Sequence, residues 1–105
     1  MKVLLDACVP RPLRKFLPDH TVQTAQEMGW GQLKNGALLQ EAEPPFDAFL
    51  TSDQNLKNQQ NIAGRKLAIL VLPTNDWPTL LRMTDKIAAK VAALKSCDFV
   101  EMPLE

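Results

Sequence analysis

Two aspartates follow apolar segments of the chain at points where β-strands are expected to end. Asp6 comes directly after the apolar residues 3–5, and Asp53 follows the segment AFLTS. The carboxyl ends of parallel strands lie at one edge of a sheet, and ligands bind there in open α/β folds. If the two strands are neighbours, the carboxylates converge, and their mutual repulsion favours a hard divalent cation such as Mg²⁺ or Mn²⁺. A cation held in this way can bind a phosphate and activate water for phosphodiester hydrolysis.

Each aspartate also has a purely structural explanation. An Asp that precedes a helix commonly caps it by accepting a hydrogen bond from a backbone N–H two or three residues on. Asp53 would cap a helix in the segment DQNLKNQQN, and Asp6 would act as a cap or form an ion pair with Arg11 or Arg14. We expect Asp53 to serve both as a cap and as one wall of an acidic site.

The apolar segments and turn residues predict the elements that position these groups. Strands are predicted in KVLLD, HTVQTA, FDAFLTS, KLAILVLP and DFVEM. Helices are predicted in VPRPLRKFLP, NGALLQEAE, DQNLKNQQN and TNDWPTLLRMTDKIAAKVAALKS, the last with an apolar stripe of Leu80, Leu81, Ile87, Val91 and Leu94. This alternation predicts one α/β domain over residues 1–105, with a mostly parallel sheet and right-handed crossovers.

Composition restricts the classes of function. The 105 residues include 12 basic and 12 acidic side chains, so no overall field attracts nucleic acid. The apolar fraction of 46% argues against disorder. No apolar run approaches the roughly 20 residues that span a bilayer, and the start MKVLLDACVPRP lacks the apolar core of a secretory signal. We therefore predict a cytoplasmic protein that does not contact membranes.

Several other residues are predicted to be structural. Cys8 and Cys97 lack the spacing of metal ligands and are expected to be small packing residues, with a disulfide between them left open. Glu43 is expected to face solvent near the end of a helix. Trp30 and Trp77 are expected to pack rather than to stack on bases, because no basic run lies between them.

Three segments carry a resemblance to a known family: KVLLDACVPRPLRKFL, QEMGWGQLKNGALL and FDAFLTSDQNLKNQQN. In order and spacing they are similar to a group of small bacterial proteins of unknown function with a PIN-like fold, over nearly the whole chain. The resemblance implies a three-layer fold in which helices flank a sheet of about four or five mostly parallel strands. PIN domains are metal-dependent ribonucleases, and many are the toxins of toxin–antitoxin pairs. The resemblance thus implies a Mg²⁺ or Mn²⁺ site with Asp6 and Asp53 as ligands and catalytic residues, and with Thr51 and Ser52 beside it.

The chain departs from the family pattern at two positions. Ala7 and Ala37 stand where related proteins usually or often carry a glutamate. A site with fewer carboxylates should bind Mg²⁺ weakly, because affinity follows ligand charge and count. Glu41 and Asp76 are weaker candidates for substitute ligands.

Two functional hypotheses follow. The first is a Mg²⁺- or Mn²⁺-dependent ribonuclease, expected to contact substrate through Arg11, Lys34, Asn35, Thr51, Ser52, Gln54 and Asn55. The second is a catalytically degenerate PIN-like module that binds RNA or a partner protein, which Ala7 and Ala37 favour. The resemblance also implies an antitoxin-like partner and a homodimer. A phosphoacceptor receiver-like domain fits less well, because it needs an acidic pair after the first strand and a Lys after the fifth.

Overall fold

The computed structural model describes residues 1–33, 35–43, 45–56 and 65–104. The predicted helix in DQNLKNQQN lies largely outside these residues. Every other predicted element falls mainly within them.

Five parallel strands form one sheet in the order β2-β1-β3-β4-β5. The strands are β1 Lys2–Leu5, β2 Thr21–Thr24, β3 Ala48–Thr51, β4 Ala68–Val71 and β5 Phe99–Glu101. The helices are a 3₁₀ helix at Arg11–Phe16 and the α-helices α1 Asn35–Ala42, α2 Trp77–Leu81 and α3 Thr84–Ala93. The α/β class and the parallel sheet predicted from the sequence are confirmed. Within the described residues, no helix is long and apolar enough to cross a membrane.

The sheet is covered on both faces, which gives a three-layer α/β arrangement. Successive side chains of a strand point to opposite faces. Val3 and Leu5 therefore pack in a cluster with the 3₁₀ helix, α2 and α3. Leu4 and Phe49 pack in a second cluster with α1. These strand residues are all fully buried, and each buried Leu or Phe side chain contributes about 1.5–3 kcal/mol to the free energy of unfolding.

The connections β1–β2 and β4–β5 cover the same face of the sheet, although they run in opposite directions along it. β2 lies on one side of β1, whereas β5 lies on the other side of β4. Leu13 of the 3₁₀ helix and Ile87 of α3 nevertheless belong to the same core cluster. The two crossovers therefore have opposite hands, and the expectation that all crossovers are right-handed is wrong for one of them.

The helix predicted over residues 74–96 is divided into α2 and α3. At the end of α2, Arg82 and Met83 donate backbone hydrogen bonds three residues back, to Thr79 and Leu80, which tightens the last turn. Met83 then leaves the helical conformation, with φ −111° and ψ 8°. The break turns Met83 into the core at 4% exposure and leaves Leu81 46% exposed, so Leu81 does not belong to the buried stripe.

Candidate functional site at the carboxyl ends of β1 and β3

The strand order places a crevice between β1 and β3. From β1 the chain moves to β2 on one side, and β3 lies on the other side of β1. In open α/β sheets, ligands bind outside the carboxyl ends of the strands at such a reversal. Leu5 of β1 pairs with Leu50 of β3, so Asp6 and Ser52 leave the sheet at adjacent strand ends. The condition set for an approach of Asp6 and Asp53, that these two strands are neighbours, is met.

The hydroxyl group of Thr51 joins the two strand ends. Its Oγ1 donates a hydrogen bond to Asp6 Oδ2 at 2.7 Å and accepts one from the backbone N–H of Asp53 at 3.1 Å. Thr51 is fully buried at the last position of β3. A buried hydroxyl needs hydrogen-bond partners, and here those partners are the two aspartates that the sequence singles out.

The Asp6 carboxylate is held by its own turn as well as by Thr51. Its Oδ1 accepts a hydrogen bond from the Ala7 backbone N–H at 2.7 Å, and its Oδ2 lies 3.5 Å from Cys8 Sγ. The residue is half-buried. Because an ionised carboxylate offers about four lone-pair sites, Asp6 keeps acceptor capacity beyond these bonds.

Asp53 has the geometry of a cap. Its Oδ1 accepts a hydrogen bond from the Asn55 backbone N–H at 2.9 Å, and its carbonyl oxygen accepts one from Leu56 at 3.2 Å. The neighbouring Gln54 amide donates to the Leu72 carbonyl at 2.6 Å, which ties this turn to the end of β4. The Thr51 hydroxyl thus links the Asp6 carboxylate to the Asp53 backbone, and the N–H groups of Ala7 and Asn55 orient the two carboxylates separately.

Cys8 is a member of this cluster that the sequence interpretation missed. Its exposed thiol accepts a hydrogen bond from Ser52 Oγ at 3.0 Å. The predicted packing role of the cysteines is wrong, because Cys8 lies in the turn after β1 and Cys97 lies in the turn before β5, where its φ is 74°. Both thiols are free and exposed, so the disulfide that the sequence left open is not formed.

The two weaker acidic candidates are engaged elsewhere or lie apart. Asp76 caps α2 by accepting bonds from the Thr79 hydroxyl at 2.6 Å and from the Thr79 N–H at 3.1 Å. These two bonds, the hydroxyl first, lower the pKa of Asp76 below its usual 3.8. Glu41 is exposed on α1. Glu43, expected to face solvent, is half-buried and accepts a hydrogen bond from the Leu67 N–H at 2.9 Å.

A further acidic residue, Glu27, is bound to the turn that follows β2. Its carboxylate accepts a hydrogen bond from the Thr24 backbone N–H at 2.9 Å, and the Thr24 hydroxyl accepts one from the Glu27 N–H at 3.1 Å. Arg14 completes the group with an ion pair at 2.8 Å. The Thr24 bond and then the Arg14 bond lower the pKa of Glu27 below its usual 4.5. The reciprocal pattern is a capping box, which the sequence TAQE signals through its Thr and Glu three residues apart.

Of the basic residues considered for the site, Arg14 is bound to Glu27 and Arg11 is exposed to solvent. Arg14 pairs with Glu27 and not with Asp6, and Arg11 forms no ion pair with any described residue, so neither ion pair considered for Asp6 is formed. Arg11 is exposed at the start of the 3₁₀ helix. Lys34 and the side chain of Asn35 lie outside the described residues, and the predictions made for them stay predictions.

The oxygen atoms around Asp6 are suited to a divalent cation that keeps most of its water ligands, and not to one enclosed by protein side chains. Mg²⁺ commonly binds through one or two carboxylates while it keeps several waters. Asp6 and Asp53, with the Ser52 hydroxyl nearby, offer such oxygen donors. Among the residues that the structure describes, however, no group of three or more His, Cys, Asp and Glu side chains could enclose a metal ion.

Comparisons of the chain with protein-family models, with curated proteins and with solved structures give no match.

Proposed function

We propose that this chain is a PIN-like domain that binds a hydrated Mg²⁺ or Mn²⁺ ion at the carboxyl ends of β1 and β3 and hydrolyses RNA there. One observation carries the proposal: Asp6 and Asp53 follow neighbouring parallel strands, and the buried Thr51 hydroxyl bonds both the Asp6 carboxylate and the Asp53 backbone N–H. This edge of the sheet is also where an α/β fold binds ligands.

Each residue of the site has a definite role under this proposal. Asp6 would hold the cation through the lone pairs that Thr51 and Ala7 leave unused. Thr51 fixes the orientation of the Asp6 carboxylate, and Asp53 adds negative charge on the other side of the crevice. Arg11, exposed five residues beyond Asp6, would attract the phosphate. A bound cation supplies Lewis-acid polarisation of the phosphate and a water of lowered pKa.

A second candidate function is a degenerate module that binds RNA or protein without cleaving it. The observation that favours it is that backbone amides already occupy part of each carboxylate: Asp6 accepts from Ala7, and Asp53 accepts from Asn55. The exposed Ala37 on α1 adds no carboxylate. Cation affinity would then fall too low for catalysis.

The receiver-like alternative shares the strand order but not the remaining features. The order 2-1-3-4-5 is that of flavodoxin-like doubly wound folds, in which phosphoacceptor domains are built. Here the last crossover has the opposite hand from the first. The residues that follow β5 are Met102, Pro103 and Leu104, so no Lys stands at that strand end. We therefore do not propose phosphoacceptor chemistry.

Cleavage of end-labelled RNA tests the proposal, with wild type compared with Asp6→Asn. Asp85→Asn is the matched control, because Asp85 is exposed on α3. We expect Mg²⁺- or Mn²⁺-dependent cleavage that stops in EDTA and falls by at least about 10-fold in Asp6→Asn, as loss of a metal-orienting group commonly does. Equal activity in Asp6→Asn and wild type would refute the assigned site. Cation-independent RNA binding without cleavage would support the second candidate. The antitoxin-like partner and the homodimer stay predictions.

A further inference from the structure

An exposed aromatic ring lies at the end of the 3₁₀ helix that follows β1. Phe16, the last residue of that helix, is 37% exposed. Its ring centroid lies 6.0 Å from that of Trp77, with the ring planes inclined at 50°. Trp77 opens α2 and is half-buried against the core cluster. Trp77 thus supports Phe16 from the protein side, while part of the Phe16 ring faces solvent.

The same 3₁₀ helix carries a basic cleft. An open cleft of about 280 Å³ is lined by Arg11, Pro12, Arg14 and Lys15. Glu27 neutralises Arg14 by an ion pair. Arg11 and Lys15 are exposed and form no ion pair with any described residue. The Arg11 charge also helps to lower the pKa of Glu27, so Arg11 is partly compensated, whereas Lys15 has no acidic partner among the described residues. The helix therefore presents one fully and one partly uncompensated positive charge before the exposed ring.

We infer that this surface binds single-stranded RNA and leads it to the β1–β3 crevice, with a base stacked on Phe16 and phosphates at Arg11 and Lys15. Aromatic side chains next to a positively charged groove are the usual means of binding single strands without sequence preference. The six residues of the 3₁₀ helix span roughly 12 Å, which corresponds to a few nucleotides. The inference rests on the proposed function for the reaction at the end of the track, but the binding it describes needs no cation.

The chemistry of the surface favours a polyanion with flat bases over a protein partner. A protein interface needs a contiguous apolar core, and here one ring stands among charged side chains. A duplex hides its base faces and would use only the positive charges. Binding that depends on both the ring and the charges therefore identifies a single strand.

Fluorescence titration in EDTA tests this inference. The chain has two tryptophans, and Trp30→Phe leaves Trp77 as the only one. A short oligouridylate should quench Trp77 fluorescence in that variant and should bind more tightly than an RNA hairpin duplex. Phe16→Leu keeps an apolar side chain but removes the aromatic face, so its affinity should fall by about 5-fold or more.

Two further variants separate stacking from charge. Arg11→Ala and Lys15→Ala should each reduce the salt slope of log affinity by about 0.7. Lys90→Ala, an exposed Lys on α3, is the control and should bind as wild type does. Circular dichroism of every variant checks that the fold is kept.

The outcomes distinguish this inference from the proposed function. Oligouridylate binding in EDTA that weakens in Phe16→Leu supports the track even if no RNA is ever cleaved. Absence of binding, a preference for the duplex, or wild-type affinity in Phe16→Leu would overturn the track. The result of the Asp6→Asn cleavage assay would stand unchanged in each case.

Discussion

Replacement of Thr51 by Val should loosen the site and destabilise the fold. Val has nearly the same shape but lacks the hydroxyl that bonds Asp6 Oδ2 at 2.7 Å and the Asp53 N–H at 3.1 Å. A hydrogen bond to a charged group contributes about 1.5–3 kcal/mol, and one to a backbone amide about 0.5–1.5 kcal/mol. The free energy of unfolding should therefore fall by about 2–4.5 kcal/mol in Thr51→Val.

Thr51→Ser is the matched control because it keeps the hydroxyl and loses only a buried methyl group, at about 1 kcal/mol. Urea denaturation of both variants measures the difference. We expect Thr51→Val to be the less stable by at least about 1 kcal/mol, which corresponds to at least about 4 °C in Tm. Equal stability, or a more stable Val variant, would refute the structural role assigned to the hydroxyl.

Three further predictions concern residues around the sheet edge. Glu27 has a lowered pKa because Thr24 and then Arg14 hydrogen-bond its ionised form, so the stability gained is present above its ordinary 4.5 and is lost as pH falls through the lowered pKa. Urea denaturation should find wild type more stable than Glu27→Gln at pH 7, with the gap closing in acid; a constant gap would contradict this. Gly29→Ala should lower the free energy of unfolding by about 1 kcal/mol, because φ is 79° at Gly29, whereas Gly31→Ala should lower it less. Equal decreases in Tm for the two variants would rule out backbone strain at Gly29. Both cysteine thiols are exposed and should react rapidly with a thiol reagent in the folded protein; a slow thiol would show that one is buried.

The strands were predictable because their apolar runs are unambiguous. The segment AILV is buried at every position, as its continuous apolar character indicates for a strand covered on both faces. The rule for parallel sheets placed the ends of β1 and β3 at one edge, but it left open whether the two strands are neighbours, which the structure shows.

The division between α2 and α3 was not predictable from periodicity. Residues 80, 87 and 91 fit one helical stripe, and that stripe gives no sign of the turn at Arg82 and Met83. Tertiary packing decides the point, because burial of Met83 is gained only when the chain turns. The hand of the last crossover likewise depends on which face α3 covers, and local sequence does not specify that face.

The sequence predicted which strand ends form the site more successfully than it predicted the contacts that the side chains make there. Burial statistics predict that a free Cys is inside, but Cys8 falls in the turn after β1, where its thiol meets Ser52 and Asp6. The sequence predicts a solvent-facing Glu43, whereas its carboxylate accepts a hydrogen bond from the Leu67 N–H. Contacts between residues far apart in sequence carry no local signal, whereas the TAQE capping box does and could have been found.

Calorimetric titration with Mn²⁺ at low salt tests the central claim most directly. We predict weak, saturable binding to wild type and to Asp85→Asn, and its loss in Asp6→Asn and in Asp53→Asn, because the proposed site has only these two carboxylates and cation affinity follows ligand charge and count. No detectable binding at millimolar Mn²⁺, or unchanged binding in both site variants, would contradict the claim that Asp6 and Asp53 form a cation site.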